Sequence, residues 1–358
     1  MMNTTNKSDS RKLYLDFLRI FAIFLVLFTH TGTMGSKLYT IAESPLLRIL
    51  YLYLDCFRTI NNPLLFMISG VLLLGGEESI GKIWRKRVLR FSLVLIIFTY
   101  IQGIFACVIQ RDFSNFSPAE IFIKMLAQPV RPSYWYLYSY LSFLAMLPFL
   151  RAVSARMDRT MLIYLLVLTI VVQDLFPIIS CFLGIEKVNF NFFLNTFYVL
   201  YPLIGFYLDK HFEDIRKNYK NLNAVLLCGS FCGLTAAVAF TLHMYEKTNT
   251  WTEKYIVLFY TISAIAVFCI MRQLCEFLVS NHLISSAAKK RIKSFSEATF
   301  GIYLLENILE RITAVSYRVF GVILPSLPAC LLYLAVTMVL GWGVVSVLKK
   351  YSPLGKLI

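Results

Sequence analysis

Three ionisable residues stand inside the first long apolar run of this 358-residue chain, LYLDFLRIFAIFLVLFTHTGTM at 13–34: Asp16, Arg19 and His30. Ionisable groups inside a membrane are costly and mark function by default. Arg19 and His30 are 11 residues apart, about 16 Å or three turns of helix, and Asp16 lies nearly one turn before Arg19. The three therefore share a face, which must turn to a bundle interior or to water. An aligned carboxylate, guanidinium and imidazole offer anion binding at one end and proton transfer at the other. A plainer account stays open, with an arginine snorkelling at one interface and a histidine satisfied at the other.

The elements that must carry this line are membrane helices. The chain is 58% hydrophobic, 15% aromatic and only 15% charged, too apolar for a water-soluble domain and too rich in Phe and Tyr for disorder. Apolar runs near 13–34, 57–75, 91–110, 133–151, 160–180, 191–208, 222–244, 255–279, 297–316 and 329–348 are of spanning length, about ten in all. Segment 46–56 is too short to span alone and is expected at the interface or as an outward extension of the second helix. The first run is too long and too polar for a cleaved signal peptide, so it is expected to remain as a helix. The fold class expected is an all-α polytopic bundle, with tails at 1–12 and 349–358 around a membrane domain at 13–348.

The net charge of +15 raises the question of a nucleic-acid partner. Its distribution answers otherwise. The two tails and alternate loops hold 22 basic residues, against 10 in the other loops, so both termini are expected in the cytoplasm. The lipid bilayer is the expected partner and nucleic acid is not. The eight Cys include no Cys-x-x-Cys pair and sit mostly in apolar runs, reading as buried hydrophobes with no disulfide framework or metal site.

Several motifs then point one way. The opening LDFLRIFAIFLVLFTH resembles the signature of the acyltransferase-3 family of polytopic membrane acyltransferases, whose R-x10-H pattern falls on Arg19 and His30. PLLFMISGVLLL at 63–74 resembles the family's Ser-Gly segment and places Ser69 and Gly70. KIWRKRVLR at 82–90 is similar to its basic cytoplasmic loop. SYWYLYSYL at 133–141 is similar to its Trp-aromatic helix start, with Trp135 and Tyr136 in register. YPLIGFYL at 201–208 and FSEATFGIYLLEN at 295–307 resemble its late segments. One departure stands out: Glu306 occupies the position where the family usually has His.

The resemblance implies transfer of an acyl group, usually acetyl from cytoplasmic acetyl-CoA or another acyl-CoA, to a hydroxyl of a cell-surface or lipid-linked saccharide at a bacterial cell membrane. His30 is then the expected general base, with Arg19 and Asp16 on the same catalytic helix. Arg85, Arg87 and Arg90 are candidates for the donor's phosphates, and Trp84 for its adenine. A basic cluster there is equally what the positive-inside rule and anionic lipid produce. Trp135 and Tyr136 could stack on sugar rings or form an interfacial belt. Glu306 and Glu310 share a helix face. They could pair with Arg311, Arg58 or Arg272, or Glu306 could orient His30 or bind acceptor hydroxyls. A non-enzymatic exporter of polysaccharide or lipid-linked sugar, its pore lined by Asp16, Arg19, His30 and Glu306, is the competing reading.

Overall fold

The computed structural model describes residues 4–113, 116–185, 188, 196–253 and 259–358, and every regular element among them is helical. We label the helices α1 (Thr4–His30), α2 (Pro45–Arg58), α3 (Asn61–Leu73), α4 (Ile80–Gln110), α5 (Pro118–Ala127), α6 (Trp135–Arg156), α7 (Arg159–Leu183), α8 (Phe197–Lys210), α9 (Phe212–Asn218), α10 (Leu222–Thr248), α11 (Tyr260–Ser280), α12 (Ser286–Ile323) and α13 (Ser326–Tyr351). Among the described residues, eight spans are long and apolar enough to cross a membrane, the α2–α3 pair counting as one. Helices α8 and α12 correspond to the expected spans 191–208 and 297–316 without meeting that measure. The first is 14 residues long and the second carries charged residues along its 38. The starts of the expected spans 191–208 and 255–279 lie outside the described residues.

The short segment 46–56 proves to be the body of α2, which α3 continues after a break at Thr59 and Ile60. The segment 82–90 is helical where a loop was expected. With no Pro to interrupt it, the chain runs from Ile80 into α4 through one wide turn at Trp84–Val88.

Helix α1 lies at the centre, packed against α3, α11 and α12. Its apolar side chains Leu18, Ala22 and Leu27 are fully enclosed. Peripheral helices turn apolar residues outward instead, among them Phe182, Val225, Phe231 and Val339, as a lipid-facing surface requires. Helices α3 and α8 pack backbone to backbone, and this approach depends on two glycines. A Cβ at Gly70 would collide with the Pro202 backbone, and one at Gly205 with the Met67 backbone. Small residues that let backbones touch supply much of the attraction between helices in lipid. All eight cysteines are free; Cys56, Cys269, Cys275 and Cys330 are buried, while Cys228 and Cys232 are exposed on α10.

Buried ion pairs lock α1 to its neighbours. The Tyr14 hydroxyl donates to Asp209 at 2.7 Å, and Arg272 donates to the same carboxylate at 3.0 Å and to Glu276 at 3.1 Å. This joins α1, α8 and α11 at one end of the bundle. Arg58 pairs with Asp55 on its own helix.

Candidate active site

Two contacts fix α12 alongside α1 and parallel to it. Midway along α1, Ser296 of α12 donates to Asp16 at 2.8 Å, and Arg19 bonds Asp16 at 3.1 Å and Ser296 at 3.4 Å. At the end of α1, Nδ1 of His30 meets Oε1 of Glu306. The sequence alignment of Asp16, Arg19 and His30 on one face thus becomes a seam between two helices. Of the α12 carboxylates, Glu306 pairs with this histidine, while Arg58 pairs with Asp55 and Arg272 with Asp209 and Glu276.

The His30 end has unspent hydrogen-bonding capacity. Glu306 is buried, yet its Oε2 has no hydrogen-bond partner among the described residues, and neither does the buried Oε1 of Glu310. His30 keeps about a third of its side chain accessible. With Nδ1 committed to the Glu306 carboxylate as a donor, the Nε2 lone pair is the ring's remaining acceptor. One donor atom from each of His30, Glu306 and Glu310 lies within 4.8 Å of the others, close enough to hold a metal ion. A cation taking Nδ1 would displace the hydrogen bond that orients the ring.

Neighbouring polar groups hold α12 in register here. Tyr134 donates to the Leu304 carbonyl at 2.8 Å, and the Gln102 amide donates to the same oxygen at 3.2 Å. Asn307 donates to Gln102 at 3.1 Å, and Tyr303 to the Ser133 carbonyl at 2.6 Å. The turn before α6 and the middle of α4 are thereby bound to the turn of α12 that carries Glu306.

Two cavities adjoin at Arg19 and Leu72. One, of about 220 Å3, is walled by Ile23, Leu65, Ile68, Ser69, Phe91, Tyr136, Tyr140, Thr299, Phe300 and Tyr303 as well. The other, of about 550 Å3, is lined by the charged side chains of Asp16, Lys289, Lys290, Lys293 and Glu297 together with Leu13 and Leu15. The smaller cavity takes lining residues from both helices of the seam, while His30 and Glu306 lie beyond its lining. Ile23 stands two helical turns before His30, and Tyr303 one turn before Glu306, so each helix continues the same face toward the pair.

The remaining expected residues are dispersed. Tyr136 enters the cavity wall and stacks near Tyr140 and Tyr303, with centroids 5.8 Å away in each case. Trp135, its neighbour, points elsewhere, partly exposed and edge-on to Phe197. Trp84 and Arg85 are exposed. Arg87 is clamped to the Glu78 carboxylate at 2.8 and 2.9 Å, and Arg90 donates to the Leu357 carbonyl at 3.0 Å. None of these four lines either cavity at Arg19. Tyr140, Tyr303 and Phe91 were not singled out from sequence. For Tyr303 a signal existed, its position three residues before Glu306; for Phe91 none did.

Comparison with known proteins agrees with the motifs. The family model described as an acyltransferase domain, acyltransferase-3, matches residues 12–346, nearly the whole chain. No curated protein matches. No solved structure matches either.

Proposed function

Because this chain belongs to the acyltransferase-3 family and is a multi-pass membrane acyltransferase, we propose that it moves an acyl group, usually acetyl, from cytoplasmic acyl-CoA to a saccharide hydroxyl on the other side. The observation that carries this reading is the His30–Glu306 pair at the far end of a seam that begins at a cavity-lining arginine. The end of α1 bearing Arg19 is taken as the cytoplasmic one, from the loop charge.

In this scheme the donor thioester enters past Arg19 and lies along the aromatic cavity. That space, about 220 Å3, is smaller than the roughly 300–1,000 Å3 of pockets enclosing whole drug-sized ligands. It suits an extended pantetheine arm and not an oligosaccharide, which favours acyl passage over export of a glycan. Arg19 and His30 are separated by three helical turns, a distance that arm covers.

At His30 the chemistry is acyl substitution. The acceptor hydroxyl oxygen attacks the thioester carbonyl carbon while Nε2 of His30 accepts the hydroxyl proton. The tetrahedral oxyanion then collapses, the C–S bond breaks, and the imidazolium returns the proton to the departing CoA thiolate. Glu306 holds the ring through Nδ1, so that the lone pair faces the acceptor and the imidazolium is stabilised as it forms. The unpartnered oxygens of Glu306 and Glu310 would accept hydrogen bonds from other acceptor hydroxyls, which supports a polyhydroxylated acceptor.

Mass spectrometry of cell-surface and lipid-linked glycans, from cells with and without the gene, tests the proposal. Loss of one acyl substituent from a saccharide hydroxyl is the expected result, and it names acyl group and acceptor together. Unchanged acylation with altered glycan export would overturn it in favour of a transporter.

A further inference from the structure

We propose that the phosphates of the acyl-CoA donor are held by Lys289, Lys290 and Lys293 at the start of α12, in the charge-lined cavity that opens onto Arg19. This rests on the acyl-CoA reading above and goes beyond it by assigning the nucleotide end of the donor to residues outside the family's first-helix motif.

Four observations converge. The three lysines and Arg19 face two carboxylates in that cavity, Asp16 and Glu297, and although Lys293 lies 3.9 Å from Glu297 in an exposed one-turn pair, the lining carries excess positive charge. Asp16 is already engaged by Arg19 and Ser296, which removes it as a competitor for the lysines. Lys289 and Lys293 are one turn apart, with Lys290 beside them in the opening turns of a 38-residue helix. The two cavities also differ in the way the two ends of coenzyme A differ. The lysine cavity is about 550 Å3 and edged by charged side chains, and the one beyond Arg19 is about 220 Å3 and walled by apolar and aromatic ones. A phosphorylated nucleotide fits the first and a thioester arm the second, with Arg19 at the junction.

The basic run 84–90 is the rival location, and two of its arginines are engaged by the protein itself, while none of its residues lines the cavity. Arg87 is neutralised by Glu78 and Arg90 is occupied by the Leu357 carbonyl. A phosphate ester can also come from an anionic lipid headgroup, so the test separates the two sources.

Equilibrium binding of CoA and of dephospho-CoA, which lacks the 3′-phosphate, is measured on the purified protein in phosphatidylcholine nanodiscs. Three proteins are compared: the wild type, the triple variant Lys289→Gln/Lys290→Gln/Lys293→Gln, and the control Lys82→Gln/Lys86→Gln. The triple variant is expected to lose about tenfold or more in CoA affinity and to stop distinguishing CoA from dephospho-CoA, while the control keeps both properties. Wild-type protein is expected to bind dephospho-CoA more weakly than CoA, with a gap that narrows as salt rises, a measurement independent of any variant's folding. Equal CoA affinity in wild type and triple variant overturns the inference and leaves the acyl-CoA reading standing. So does a triple variant whose only change is lost dependence on added phosphatidylglycerol, which would make the cavity a lipid site. A wild type that binds no CoA at all overturns the donor reading itself.

Discussion

At the scale of single residues, the chemistry concentrates on one hydrogen bond. A histidine free to rotate presents either nitrogen to a substrate; one tied through Nδ1 to a carboxylate presents only Nε2. Glu306 therefore acts through His30, and its replacement has a distinctive signature. Glu306→Gln keeps the shape but removes the charge, and is expected to lower kcat by about 10²-fold or more with a small change in donor KM. Glu306→Asp keeps the charge and is expected to recover part of the loss. Steady-state kinetics of the three proteins checks this; equal losses in Gln and Asp variants would point to a merely structural position. The line of Asp16, Arg19 and His30 was legible in sequence because helical periodicity alone puts the three on one face. The partner of His30 was open among several groups, since only the packing of α12 against α1 decides which carboxylate reaches it.

At the scale of elements, the site depends on how closely helices approach. Gly70 and Gly205 let α3 and α8 meet backbone to backbone, and α3 also contributes Leu65, Ile68 and Ser69 to the cavity wall. Gly70→Val must push α8 away. It is expected to cost about 1–3 kcal/mol and to lower the detergent-solubilised Tm, with transfer activity falling alongside. A Tm equal to wild type would contradict the packing described. A second contact acts through charge. Arg151 and Arg87 hold the Glu78 carboxylate below its ordinary value of 4.5. A carboxylate with its folded value depressed stabilises the fold above its unfolded value, and that contribution fades as pH falls below it. Wild-type Tm is thus expected to drop more steeply than that of Glu78→Gln as pH falls below about 4.5. Parallel curves would remove Glu78 from the account. The helical nature of these segments was plain from their apolar runs. The boundary at 80–90 was not, because positive charge suggests a loop while nothing in the run breaks a helix.

At the scale of the molecule, composition identified the solvent and the distribution of charge suggested the orientation, and neither identifies a cavity. Aromatic walls such as Tyr140, Tyr303 and Phe91 come from three different helices, so no local spacing brings them together. The lysines of α12 were counted in sequence as orientation charge. Only their position on a cavity shared with Arg19 gives them a second use. What unites the molecule is a path in which a charge-lined cavity, an arginine, an aromatic slot and a histidine–carboxylate pair follow one another along two parallel helices. The most direct test of that path is acyl transfer by purified protein in nanodiscs, followed as free thiol released from acetyl-CoA in the presence of the saccharide acceptor that glycan mass spectrometry identifies. Wild-type protein is expected to release thiol and yield O-acylated acceptor, while His30→Ala keeps its CoA affinity and loses turnover by on the order of 10³-fold. A His30→Ala protein that transfers at the wild-type rate would contradict the assignment of His30 as the base.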